Sequence, residues 1–314
     1  MPTVDPGNAG TGLRNSAVYH SESRTLGPQP SAAGLRTHSD RFTGLTSGEF
    51  PRIAEEFLVA GRNRRWDRES QLSISHYFDD PMVLAVSCAD HEPEDRIGAI
   101  PLPSPERPVD TPLHDAVARR RSVREYTGEP LALTGLATLL RHAGAVTGHG
   151  EARLAHGETA RLSFRSVASA GGLYPVELWL AALRVRGLER ALYRFLPAED
   201  ALARQDLPTG VEGLLAAADT GAATVALDRA AALLLFVAQP WRSMRKYGPR
   251  GMRHVFHETG AMAHAVHLTA AALGIGTTDF SSFYDDEAHE ALGLDGVYRT
   301  LTHVVVAGDA AEDQ

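Results

Sequence analysis

AALLLFVA, residues 231–238, is an unbroken apolar run of eight residues. A helix that crosses a bilayer needs about 20. A run this short and this apolar suits a strand in the middle of a sheet. Working outward, VELWLAALRV (176–185) reads as a second buried strand. ALYRFL (191–196) reads as the strand that returns beside it beyond Gly187, and LTHVVVAG (301–308) as a final strand. Helical spacing alternates with these strands. HVFHETGAMAHAVHLTAAALG (254–274) is a long, alanine-rich helix whose composition suits burial over much of its circumference. Thr134 opens another, with Leu136, Leu139, Leu140 and Ala143 on one face and Gly144 as its stop. Asp110-Thr111-Pro112 is a third start signal, with the proline at the first helical position and Leu113 and Val117 four apart. LLAAAD (214–219) and DDEAHEALGL (285–294) are shorter helices. The fold class expected is α+β, a mixed central sheet flanked by helices.

The 314 residues permit one large or two small domains. Hydrophobic residues at 43% and charged residues at 22% are ordinary for a globular chain with a sizeable core. A formal net charge of −8 argues against nucleic acid and anionic membrane as partners. Cys88 is the single cysteine, which excludes an internal disulfide framework and fits a reducing cytosol. The first residues, MPTVDPGNAGTGL, lack a basic start and an apolar core, so no secretory signal and a cytoplasmic location are expected. Residues 1–50 are rich in Gly, Ser, Pro, His and Arg and read as a disordered arm. Residues 51–111 read as an extension and linker. They hold a short amphipathic helix around Ile53, Phe57 and Leu58, apolar segments at 74–78 and 81–86, and six prolines over 90–112. The body spans 112–308, and 309–314 is an acidic tail.

Four stretches carry candidate chemistry. RRRSVREYTG (119–128) crowds Arg119, Arg120, Arg121 and Arg124 around Ser122. Cations in the last turn of a helix suit its dipole, whereas guanidiniums beside a hydroxyl suit a phosphate dianion. SAGGLYP (169–175) is either a tight turn or a place where backbone approaches a flat ligand closely. In RKYGPRG (245–251), Lys246 beside Tyr247 is a surface pair or an acid–base pair with a desolvated lysine. LGIGTTDFSSF (273–283) is glycine-rich but lacks the GxGxxG dinucleotide fingerprint. His254, His257, His264 and His267 share the long helix with Glu258. With no HExxH and no cysteine partner, no metal site is expected.

In this order, RRRSVREYTGEPL, SVASAGGLYPVELWL and KYGPRGMRHVFHETGAMAHAVHLTAAALGIG resemble the nitroreductase-like flavoproteins over about residues 112–308. The match is closest to the SagB-type azoline dehydrogenases of ribosomal peptide pathways. The resemblance implies a nitroreductase-like fold, a long buried dimer-interface helix, a homodimer, and FMN at the interface. Arg120, Ser122 and Arg124, with Arg121 beside them, would hold its phosphate and ribityl end. Ser169, Gly171 and Gly172, with Ala170 between them, would meet the isoalloxazine edge. Ser281 and Ser282 match the segment facing flavin N5. Lys246 and Tyr247 match the catalytic pair of azoline oxidases, where a group of depressed pKa takes the ring proton and FMN takes the hydride.

The reaction implied is oxidation of thiazoline or oxazoline rings to thiazole or oxazole in a ribosomally made peptide, with dioxygen reoxidising the flavin. A cyclodehydratase is a candidate partner. The N-terminal segment is too short and too polar for a winged-helix peptide-recognition domain, so leader-peptide binding is expected to reside in a partner protein. An NAD(P)H-dependent nitro or quinone reductase of the same fold, or a non-catalytic scaffold subunit of a synthetase complex, are the alternatives. The sequence departs from the branch at His264-Ala265, where relatives often carry Gln-Asn. It also departs in the acidic tail GDAAEDQ, where relatives often add a basic residue near the phosphate. Arg299 is the candidate substitute.

Overall fold

The computed structural model describes residues 53–62, 65, 72, 77, 80, 97–105, 109–153, 157, 159–219 and 225–311. The expected disordered arm, and the apolar segment at 81–86, lie outside them. The chain divides into two compact units, Met1–Arg65 and Trp66–Gln314. The first contains helix α1 (Ile53–Ala60).

In the second unit the elements run β1 (Ile100–Pro101), α2 (Leu113–Arg119), β2 (Leu131–Ala132), α3 (Leu133–Gly144), β3 (Val146–Arg153), β4 (Thr159–Arg165), β5 (Val176–Ala182) and β6 (Val185–Arg186). They continue as β7 (Ala191–Leu196), β8 (Ala201–Gln205), α4 (Gly210–Ala216), β9 (Ala232–Ala238), α5 (Pro240–Tyr247), α6 (Gly251–Leu273), β10 (Gly276–Phe280), α7 (Asp285–Leu292) and β11 (Thr300–Gly308). Seven strands form one sheet in the order β1-β8-β7-β5-β9-β11-β10. Its pairings are antiparallel. The run 231–238 supplies β9, held between β5 and β11, and β7 returns beside β5 as its sequence predicts.

Antiparallel strands usually alternate apolar with polar residues because one face meets water. β5 and β9 do not alternate, because helices cover both faces. Leu178, Leu180, Leu234 and Phe236 pack in one cluster with Leu136, Leu139 and Leu140 of α3 and Val255, Met262 and Val266 of α6. Trp179, Ala181, Leu233 and Leu235 join Leu214 of α4 and Ala291 and Leu292 of α7 on the other side. The period-2 geometry of a strand sends consecutive leucines of β9 into opposite layers.

One sequence expectation is corrected. Pro112 caps α2 from outside rather than opening its first turn, with ψ 142°. Thr111 donates its hydroxyl to the Ala272 carbonyl, 3.1 Å away, and so ties the start of α2 to the last turn of α6. Within one chain, α6 buries a stripe running through Val255, Glu258, Thr259, Met262, Val266 and Ala270. On its other side Phe256, His257, Gly260 and His264 are exposed. Among the described residues no helix is long and apolar enough to cross a membrane.

One polar island interrupts the core. Glu177, in β5, accepts hydrogen bonds from Trp179 Nε1 at 3.0 Å and Arg299 Nη2 at 2.8 Å. Gln239 donates to its other oxygen, and Arg194 of β7 pairs with it at 3.1 Å. Burial pushes the carboxyl up, but the Arg194 and Arg299 guanidiniums outweigh it and hold Glu177 below the usual carboxylate range. Arg299 also lies over the Trp179 ring, 5.3 Å from its centroid. It is therefore committed to β5, and nothing in its contacts makes it the substitute for a phosphate-binding residue.

Candidate active site

The SAGGLYP turn and the lysine–tyrosine pair meet. The chain leaving β9 is fastened to the end of the turn, because the Gln239 N–H donates to the Pro175 carbonyl at 2.7 Å. Pro240 then opens α5, whose last turn carries Lys246 and Tyr247. The sharp junction into α6 requires Gly251, since a Cβ there would sit 2.7 Å from the Met244 nitrogen. Gly171 completes the enclosure from the opposite side. Its φ is +66°, and a Cβ at this position would lie 2.5 Å from Tyr247 Oη and 2.8 Å from Lys246 Nζ. Both functional atoms thus occupy the space that the missing side chain leaves.

The surroundings of the pair are aromatic and largely dry. Lys246 is 7% exposed, with Nζ 4.8 Å from the Tyr77 ring centroid and 5.5 Å from that of Tyr247. Tyr247 packs edge-on to His254 at 4.9 Å. Burial pushes the Tyr247 phenol up, which keeps it protonated at neutral pH.

Glu258 stands behind the turn. It is 2% exposed, and Oε1 accepts from the Val176 N–H at 3.2 Å. Burial, its largest influence, raises the carboxyl to about 7, against the opposing pulls of a Ser169 hydrogen bond and the Arg165 and Arg242 charges. Glu258 was passed over in the sequence as a neighbour of helix histidines. Its signal was nevertheless there, as a carboxylate on the apolar stripe of α6, where ionisable residues are rare unless paired.

The arginine cluster lies elsewhere in the chain, toward the C-terminal end of α6. Val123 N–H donates to the Thr277 carbonyl at 2.9 Å, and Ser122 bridges Thr277, so this stretch runs alongside β10. β10 leads directly into Ser281 and Ser282. Arg121 behaves as a helix-end cation, donating Nη1 to the carbonyls of Ala118 at 2.9 Å and Arg120 at 2.8 Å. Ser122 and Arg124 are exposed and Arg120 half-buried. Guanidiniums and a hydroxyl on an accessible extended segment suit a phosphate by their donor chemistry. Among the described residues, this group lies apart from the Lys246–Gly171 group, toward the other end of α6.

A third arrangement had no signal in residue spacing, because three elements build it. His267 Nδ1 lies 2.8 Å from Thr277 Oγ1, and its Nε2 lies 2.9 Å from Asp279 Oδ1. The same oxygen lies 2.8 Å from His303 Nε2. These two imidazoles hold the Asp279 carboxyl well below its ordinary range. Of the remaining helix histidines, His257 and His264 are exposed. No group of three or more potential metal ligands occurs among the described residues.

Gly171→Ala and Gly172→Ala separate backbone strain from crowding. Both glycines have φ +66°, but a Cβ on Gly172 meets only the Phe164 ring, at 3.9 Å. Each substitution is expected to cost about 1–2 kcal/mol in thermal unfolding through left-handed strain. Gly171→Ala should additionally displace Lys246 and Tyr247 and lower turnover well below that of Gly172→Ala.

Comparison with known proteins agrees with this architecture. The nitroreductase family profile matches residues 117–308. A Methanocaldococcus jannaschii protein described as a nitroreductase is 35% identical over 183 residues, covering 58% of this chain and 84% of that one. A Ralstonia eutropha crystal structure, also described as a nitroreductase, covers 68% of this chain and 90% of its own at 24% identity and a TM-score of 0.54. The E. coli microcin synthetase McbBCD complex, solved with truncated pro-MccB17 bound, contributes a chain that covers 77% of this one and 98% of its own. Its identity is 21% and its TM-score 0.52. At such identities the structural likeness speaks to fold alone.

Proposed function

Because this chain belongs to the nitroreductase family, whose members generally bind flavin, we propose that it is an FMN-dependent dehydrogenase that oxidises thiazoline or oxazoline rings of a ribosomally made peptide to azoles. The observation that carries this proposal is the closure of Lys246 and Tyr247 onto Gly171 of the SAGGLYP turn. A general reductase has no need of a buried lysine–phenol pair at that turn, whereas azoline oxidation requires a proton to leave a ring carbon as hydride departs.

FMN fits the residues present. The 169–172 turn offers close backbone approach, and Arg120, Ser122 and Arg124 offer phosphate donors. When bound, FMN supplies the hydride acceptor. The chain's own contribution is to place the azoline against Gly171, to take its ring proton on Lys246, and to hold the Tyr247 phenol as a hydrogen-bond donor beside it. The two groups of residues lie near opposite ends of α6. A twofold dimer packed antiparallel through Phe256, Gly260 and His264 would bring the Lys246 end of one copy to the arginine end of its partner. The proposed protein is thus a cytoplasmic homodimer that works with a cyclodehydratase on a peptide.

A reductase acting on nitroaromatics or quinones with NAD(P)H is the second possibility, favoured by the M. jannaschii relative at 35% identity. Cofactor identity is the first test of the proposal. The purified protein should be yellow and release FMN, and Arg120→Ala/Arg124→Ala should weaken FMN binding by more than tenfold in fluorescence titration. Each lost charge-assisted contact to phosphate is worth about 1.5–3 kcal/mol. A colourless protein that takes up no added FMN would contradict it.

A further inference from the structure

We infer that Glu258 is the positioning residue of the site, a clasp that holds both ends of the Ser169–Val176 turn and through it the Lys246–Tyr247 pair. The inference rests on the proposed role of that pair. Ser169 Oγ accepts from the Tyr174 N–H at 2.9 Å, which leaves its own hydrogen for the Glu258 carboxyl. The same carboxyl accepts from Val176, where the turn becomes β5. One side chain from α6 therefore bonds the last residue of the segment that carries Gly171 and faces the Ser169 hydroxyl at its first. Its second oxygen, Oε2, is buried and has no hydrogen-bond partner among the described residues. A carboxyl left in this condition is costly for stability alone, and such sites recur where geometry serves function.

The charged and titratable groups around the clasp are few. Arg165 reaches toward it from β4 and Arg242 from α5. Lys246 and Tyr247 lie across Gly171, and His254 and His257 share its helix. The folded-state pKa of about 7 stands above the ordinary 4.5. The stability that Glu258 contributes is therefore complete below pH 4.5 and is lost as pH rises through 7. Asp279 acts in the opposite direction and at lower pH, because its carboxyl is depressed and its contribution is lost only as pH falls. The two effects are separable.

The test uses the full-length protein with Glu258→Gln and Glu258→Ala. Glutamine keeps an acceptor for Val176 and Ser169 but cannot titrate. Three results are expected. Between pH 5 and pH 8 the wild-type Tm should fall relative to that of Glu258→Gln. Hydrogen exchange should quicken in peptides covering 169–176 and 242–247 of Glu258→Ala, with β9 unchanged, and Glu258→Gln should restore protection. Turnover of an azoline peptide should drop about 10²-fold in Glu258→Ala, as for a misplacement of about 1 Å, with KM little altered. Parallel Tm–pH curves for wild type and Glu258→Gln would overturn the inference, as would unchanged exchange in Glu258→Ala. If Glu258→Ala fails to fold, the Glu258→Gln curve decides. The Tm and exchange readouts need no substrate, so a wild-type protein inactive on azolines would sink the proposed function while leaving the clasp to be judged on its own.

Discussion

In the proposed dehydrogenase, Lys246→Ala is expected to lower azole formation by about 10²–10⁴-fold, the usual worth of a positioned acid or base, and to leave flavin content unchanged. The expectation follows from where Nζ sits. Lys246 is 7% exposed, lies within 5 Å of the Tyr77 ring centroid, and faces Gly171 rather than solvent. A basic side chain held against the turn in this way is within reach of a ring bound at Gly171. The arginine cluster lies at the other end of α6 and is untouched by the substitution, so FMN absorbance at unchanged stoichiometry is the control. Tyr247→Phe should be milder, about tenfold, because a phenol pushed up by burial donates a hydrogen bond rather than accepting the proton. Retention of full azole formation in Lys246→Ala would remove the lysine from the chemistry. Retention of NADPH-driven reduction of a nitroaromatic, with azole formation absent in the wild type as well, would favour the general reductase.

The largest effect on stability is expected at Glu177. Glu177→Ala removes the carboxylate with which Arg194 and Arg299, their side chains 8% and 33% exposed, both pair. Removal of one partner from a buried ion pair costs about 3–5 kcal/mol. In a body of about 200 residues that loss lowers Tm by roughly 10 °C. Trp179 Nε1 and the Gln239 amide lose their acceptor at the same time. The solvent-exposed pair Arg190–Glu212, with side chains 40% and 73% exposed, is the control, and Glu212→Ala should leave Tm unchanged. Differential scanning calorimetry of the three proteins checks the order. A Glu177→Ala variant as stable as wild type would mean that the surrounding apolar packing fixes β5, β7 and the Arg299 segment without help from the ion pairs.

Much of the fold was legible because its strands are covered on both faces. AALLLFVA and VELWLAA have no polar alternation to mislead, and their length excludes a bilayer, so burial in a sheet was the remaining option. α3 was equally plain, since Leu136, Leu139 and Leu140 are fully buried at helical spacing. The face of α6 that the chain itself leaves open was less legible, for a physical reason. Alanine and glycine are compatible both with burial against a sheet and with a small-residue face left for another helix, and composition does not separate the two. The start of α2 shifted by one position because Thr111 bonds the end of α6 instead of capping its own helix.

The site divides along the same line. Local motifs singled out Lys246, Tyr247 and Gly171, which one turn and one helix end bring together. Arg121 looked like its neighbours in sequence, yet it closes α2 by bonding carbonyls, a distinction only the backbone path makes. The Glu177 island joins residues up to 122 positions apart, and His267–Asp279–His303 joins three elements. Neither leaves a trace in spacing.

The most direct measurement is the mass of a thiazoline-bearing peptide after incubation with the full-length protein in air, without NAD(P)H. The proposed dehydrogenase removes two hydrogens per ring, with the appearance of azole absorbance, and dioxygen accepts the electrons. An unchanged peptide mass, together with rapid NADPH consumption against a nitroaromatic by the same flavin-loaded preparation, would contradict azoline oxidation and identify the protein as a reductase.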